Sequence, residues 1–253
     1  MASDKVLQRG QFSKLLGCIK LLENCCTDCD ISEGFIRQKT NDRQAIIEMD
    51  LTSILDANDL SLSLIKQKVM LLRTFELDDN VKVPDENIVI RTEEQSYKFI
   101  DPLSKMTFRK PMKKFLDNSY IPADKFAEMI TCKEEDLVFN VTASAYICKR
   151  IKAICEGFQT NSIKCEMNQL AGLLRISTVD NTNTSEVVTI SLNTEMPNSY
   201  FNMISLPFSL ELNSDIKLNV YKTSGKVLLC KFDQKFFGIP MTIFTRVSLM
   251  TEA

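Results

Sequence analysis

The apolar spacing of this chain switches between a helix period and a strand period, and it does so twice in the same order. In "QFSKLLGCIKLLEN", Phe12, Leu15, Leu16, Ile19 and Leu22 recur at three- and four-residue steps, which predicts a helix with one apolar face. "LIKQKVMLLRTF" does the same with Leu64, Ile65, Val69, Leu72 and Phe75. "ASAYICKRIKAICEGF" places Ala143, Tyr146, Ile147, Ile151, Ile154 and Phe158 inward, and Gly157 suits its end. Between these stretches the period drops to two. "EGFIRQKT" and "RQAIIEMDL" predict a hairpin around Asn41-Asp42, and Val81, Val83, Ile88, Ile90, Tyr97 and Phe99 alternate after the second helix. Residues 162–193 predict three strands, and residues 215–250 three more, with a turn at Ser224-Gly225.

The order is therefore helix, hairpin, crossover, helix, antiparallel strands over 5–100. It recurs as helix, hairpins, a crossover at 201–214 and antiparallel strands over 136–250. The stretch between them holds Pro102, Pro111, Pro122 and the basic run "RKPMKK", and Pro favours extended chain there. The expected organisation is a first domain at 1–100, a connector at 101–122 and a second domain at 123–253. The expected class is α+β, with antiparallel sheet and helices on one face.

Charge is distributed unevenly over the same elements. Residues 5–20, 61–75 and 141–154 contain ten of the 31 cations and no Asp or Glu, leaving 21 cations against 33 acids elsewhere. The cations are Lys5, Arg9, Lys14, Lys20, Lys66, Lys68, Arg73, Lys149, Arg150 and Lys152. One basic helix face is ordinarily a solvated surface. Three without a carboxylate predict basic helices on an acidic body.

Several chemistries are excluded or weakened. The chain has no His, which removes Ser-His-Asp and Cys-His arrangements and most metal sites. Its seven Gly are too scattered to form a phosphate-cradling loop. "CCTDC" (Cys25, Cys26, Cys29) contains one CxxC without a second pair, so its cysteines are expected as small apolar residues at a helix end. Asp78, Asp79, Asp85 and Glu86 are more simply solvated turn residues than a divalent-metal site. Neither catalytic nor metal residues are assigned, and no cofactor is expected. Nine Cys, an odd count, with a polar N-terminal stretch and no apolar run near the ~20 residues of a bilayer span, predict a reduced intracellular protein without a membrane partner.

The order of elements resembles that of DNA polymerase processivity factors: the sliding clamps that include proliferating cell nuclear antigen (PCNA) and T-even-type phage clamps. The likeness runs through "EMDLTSIL", "LSLIKQKVMLLRTFELDDNVKV", "NIVIRTEEQSYKFIDP" and the closing "GKVLLCKFDQKFFGIPMTIFTRV". It implies the DNA-clamp fold: two clamp-type repeats joined by a long connector, assembled as a homotrimeric ring around duplex DNA. In that reading the ten cations face the hole, attracting phosphates without reading sequence. The implied partners are double-stranded DNA, a DNA polymerase, a clamp loader and further copies of the chain. The resemblance also implies a partner-peptide pocket at Met112, Phe115, Leu116, Tyr120, Ile121, Phe244 and Val247. The fourth lining helix would fall at 201–213, where "FNMISLPFSLELN" has no cation and includes Pro207. The alternative is a clamp-fold viral transcription or DNA-metabolism accessory factor without a replicative role. A β-rich virion or scaffold protein explains the strands but not the acid-free helices.

Overall fold

The structure is a computed structural model. It describes residues 3–55, 60–76, 87–93, 96–111, 120–130, 132–147, 149–150, 153, 163–168, 173–178, 187–191, 201–202, 214–223 and 227–248. The chain divides into two compact units, Met1–Asn41 with Glu48–Pro122, and Asp42–Ile47 with Ala123–Ala253.

The chain opens with strand β1 (Ser3–Gln8), then helix α1 (Arg9–Leu22) and strands β2 (Cys29–Ser32), β3 (Phe35–Lys39), β4 (Ala45–Asp50) and β5 (Leu60–Leu62), all in the first unit except residues 45–47 of β4, which are assigned to the second. Helix α2 (Ile65–Leu72) follows and tightens into a 3-10 turn at Arg73–Phe75. Strands β6 (Asn87–Glu93), β7 (Ser96–Asp101) and β8 (Met106–Pro111) complete the first unit. One antiparallel sheet has the order β1-β6-β7-β8, and β5-β2-β3-β4 are hydrogen-bonded neighbours in a second. Helix α1 packs on α2. Phe12, Leu15, Leu16, Ile19 and Leu22 are buried from one helix, and Ile65, Val69, Leu72 and Phe75 from the other and its turn. The Phe12 ring lies 6.2 Å from that of Phe75 and 6.5 Å from that of Phe99 on β7, so the helices share a core with that sheet.

Three expectations need correction here. A strand, β1, precedes the first helix, so Lys5 lies on a strand opposite Ile90 of β6 rather than on a helix. Six residues before a helix are too few for periodicity to separate the two elements. Leu64 is not part of the buried face. It adopts a left-handed conformation (φ 53°) ahead of α2 and is half exposed. Pro111, within the segment expected as connector, ends strand β8, where it stands opposite Ser96.

The second unit contains helix α3 (Ala123–Met129), a 3-10 turn (Glu134–Asp136) and strand β9 (Leu137–Ala143). Residues 145–147, 149–150 and 153 are helical. Strands β10 (Ile163–Asn168), β11 (Leu173–Thr178), β12 (Val187–Ser191) and β13 (Phe201–Asn202) pair in the order β12-β11-β10-β13. Strands β14 (Ile216–Lys222), β15 (Val227–Phe236) and β16 (Ile239–Ser248) close the chain, with neighbours in the order β16-β15-β14-β9. Cys230, Phe232 and Phe236 alternate inward on β15, and Met241 and Ile243 on β16, as a half-buried antiparallel pair requires. As in the first unit, a strand precedes the helix, and Ala143 belongs to that strand. The fourth lining helix is expected at 201–213, but Phe201 and Asn202 form strand β13; residues 203–213 and the expected turn at Ser224-Gly225 lie outside the described residues. Among the described residues no helix is long and apolar enough to cross a membrane.

Candidate nucleic-acid interface

Helix α1 starts with a reciprocal cap. The Gln8 side chain accepts from the backbone of Gln11, and the Gln8 amide donates to Gln11 Oε1 at 3.1 Å. With the apolar stripe turned inward, Lys14 and Lys20 are left on the exposed side. Lys20 lies in the last turn, where a cation also complements the helix dipole. Arg9 behaves differently. Its guanidinium donates to Phe75 O at 3.0 Å and to Asp101 Oδ1 at 2.5 Å, which ties the start of α1 to the 3-10 turn and to the end of β7. Lys5 is half-buried on β1.

Helix α2 is started by a carboxylate from a distant strand approach. The Leu64 amide donates to Asp28 Oδ1 at 2.9 Å, and the Ile65 amide to Thr27 O at 2.9 Å. Lys66 is exposed, and Lys68 is half-buried with its ammonium 5.7 Å from the Phe108 ring centroid. The Arg73 side chain is exposed, with Glu76 Oε2 at 3.8 Å. Helices α1 and α2 both lack an acid in their first turn, the place where a helix dipole would favour one.

The second unit repeats the device. Asp215 Oδ1 accepts the Ala145 amide at 2.8 Å and starts the helical turns that carry exposed Lys149 and Arg150. Lys152 lies outside the described residues. Tyr146 corrects the inward expectation: it is 63% exposed. The Arg150 guanidinium carbon lies 4.9 Å from its ring centroid, and Arg150 donates to the Tyr146 hydroxyl through Nε at 2.9 Å and Nη2 at 2.5 Å. The i, i+4 spacing of an aromatic and an arginine was the signal for this pair in the sequence.

Of the expected peptide-pocket residues, Met112, Phe115 and Leu116 lie outside the described residues. Tyr120 bridges to Gln38, and the Ile121 amide donates to Arg37 O at 2.9 Å, so both are pinned to β3 in the first unit. Phe244 is buried in the second unit with its ring 5.6 Å from that of Phe126 on α3. Val247 stands opposite Leu228 in the β15–β16 register. The acidic residues Asp78, Asp79, Asp85 and Glu86 also lie outside the described residues. Among the described residues no group of three or more Cys, Asp or Glu is arranged to hold a metal.

No family model and no curated protein matches the sequence. Solved structures do match the fold over its whole length. The PCNA of Entamoeba histolytica superposes with a TM-score of 0.60 at 12% identity, covering 98% of each chain. The PCNA of A. fulgidus, solved bound to the C-terminal region of FEN-1, gives 0.59 at 11% identity and covers 100% of both chains. The DNA polymerase III β subunit of Thermotoga maritima gives 0.61 at 12% identity, with 98% of this chain covering 66% of that one. The chain thus spans the full length of the PCNA subunits and about two thirds of the bacterial one. With its paired repeats, antiparallel sheets and few helices, this chain has the DNA-clamp fold.

Proposed function

We propose that the protein is a sliding clamp: a homotrimeric ring that encircles duplex DNA and tethers a DNA polymerase for processive synthesis. The observation that carries this reading is the character of the helix surfaces. Lys14, Lys20, Lys66, Arg73, Lys149 and Arg150 are exposed on three separate helical segments, and α1 and α2 have no acid in their first turns. Such faces attract phosphate without selecting bases, which sliding requires. Arg9 is assigned to the fold instead, because its guanidinium is engaged by Phe75 O and Asp101. The protein is read as a scaffold rather than an enzyme. It would act inside the cell, placed on DNA by a loader and binding partner proteins at a peptide site, as the FEN-1 segment does on the A. fulgidus clamp.

Sedimentation over a concentration series tests the ring. A species near three times 28.8 kDa is expected, with dissociation on dilution if the ring depends on a loader. A strict monomer or dimer at the highest concentration overturns the trimer. Retention on circular but not linear duplex then tests encirclement, and capture of a polymerase tests the replicative role.

A further inference from the structure

The CCTDC segment plays no part in the clamp reading, yet its geometry is specific. Helix α1 ends with the Cys25 and Cys26 amides both donating to Leu22 O, at 3.0 and 2.8 Å. The Cys25 carbonyl accepts the Asn41 amide at 2.8 Å, which holds the turn against the loop after β3. In this fixed turn the two sulfurs stand 3.9 Å apart. Cys25 is partly exposed and Cys26 is buried beneath it, and neither forms a disulfide.

The separation discriminates between chemistries. Adjacent Cα atoms are about 3.8 Å apart, short of the roughly 4.4–6.8 Å span of relaxed disulfides, so a Cys25–Cys26 disulfide would be strained. Two sulfurs each ~2.3 Å from a tetrahedrally coordinated ion stand about 3.8 Å apart. The dithiol therefore already has the bite of a metal chelate, and binding an ion would replace the contacts its thiols make to Leu22 O at 3.5 Å and Lys39 O at 3.9 Å. From this we infer that Cys25 and Cys26 form a bidentate site for one thiophilic divalent d10 cation of the zinc or cadmium kind. Each thiol loses its proton to solvent and each sulfur donates an electron pair to the ion, with no change of oxidation state. Water or a small external thiol fills the remaining positions. The site does not depend on whether the chain encircles DNA.

Cadmium is the probe, added to the reduced full-length protein and counted by native mass spectrometry and sulfur-to-cadmium absorption. C25S and C26S should each lose the same single equivalent, and C132S should retain it. Equal loading of the wild type and C25S overturns the site, as does a loss confined to one of the two variants. Because Cys26 is buried, a second readout guards against misfolding. Cadmium should protect Cys25 from alkylation in the wild type and not in C26A, with the C26A fold checked by circular dichroism. Protection that persists in folded C26A means one-sulfur binding and refutes the chelate.

Discussion

The Arg9 guanidinium meets the Asp101 carboxylate at 2.5 Å, with the Asp101 side chain only 2% exposed. The same carboxylate accepts the Leu103 amide at 3.0 Å and the Ser104 hydroxyl at 2.7 Å. One buried anion thus organises the turn after β7 and anchors the first residue of α1. This distinguishes a cation that holds the fold together from cations such as Lys14 on the open side of the same helix.

The pair makes stability depend on acid. Burial opposes ionisation of Asp101, but the Ser104 hydroxyl, the Arg9 guanidinium and the Leu103 amide outweigh it and hold the carboxyl below its ordinary range. A folded-state value below the unfolded one contributes stability above the unfolded value, and that contribution is lost as pH falls through the folded one. D101A should cost about 3 kcal/mol at neutral pH, since it leaves a largely buried guanidinium unpaired. In urea titrations, the gap between wild type and D101N should narrow below about pH 4. A gap independent of pH would remove the charge from the explanation.

How much of this was legible in the sequence depends on how strongly burial enforces the period. All five apolar residues assigned to the face of α1 are buried, because a helix between another helix and a sheet has one inward side. Strand β1 was invisible because it runs into α1 with no turn residue to mark the boundary, whereas β9 was missed although Ser144, whose hydroxyl accepts the Ile147 amide at 3.5 Å, separates it from the helix. Leu64 broke the pattern because its left-handed backbone turns its side chain outward. Tyr146 broke it because an arginine one turn on engages its hydroxyl and lies 4.9 Å from its ring centroid, so an aromatic can stay outside. Among the cations, sequence alone could not separate Arg9 from Lys14, since the partner of Arg9 lies 92 residues away.

The basic faces should matter for DNA and not for folding. Lys14, Lys66 and Lys149 are exposed, and none has a role in starting or ending a helix. Lys20 is excluded from the set because it sits where the α1 dipole favours a cation. The triple variant K14Q/K66Q/K149Q should keep the wild-type melting temperature. Its log-affinity for duplex against log-salt should be shallower by roughly 0.9 for each phosphate that is no longer neutralised. Anisotropy with labelled duplex over a salt series measures this. An unchanged slope would place these lysines away from DNA.

The β2–β3 hairpin turns through Glu33 and Gly34, both with positive φ (53° and 79°). A Cβ on Gly34 would lie 2.8 Å from Leu55 O and 2.9 Å from Thr52 Cγ2, and the Gly34 carbonyl already accepts the Leu51 amide at 2.7 Å. The backbone crossing has no room to yield. G34A should cost about 3 kcal/mol through left-handed strain and overlap together. E33G relieves the neighbouring residue and should be neutral or mildly stabilising. Thermal melts of the two variants should therefore shift unequally, with only G34A markedly lowered.

Tyr146 and Arg150 make the most specific statement about how DNA would be held. Arg150 donates twice to the phenolic oxygen, at 2.9 and 2.5 Å, so that oxygen is occupied as an acceptor. Its own hydrogen is left to donate outward from a residue that is 63% exposed. A phosphodiester oxygen is the acceptor such a donor fits, with the guanidinium charge close behind it. Y146F should weaken duplex binding roughly three- to tenfold, the worth of one hydrogen bond, with the salt slope unchanged. R150Q should flatten the slope by about 0.9 if the guanidinium neutralises one phosphate. Equal affinity of Y146F and wild type would reduce the tyrosine to a support that orients Arg150.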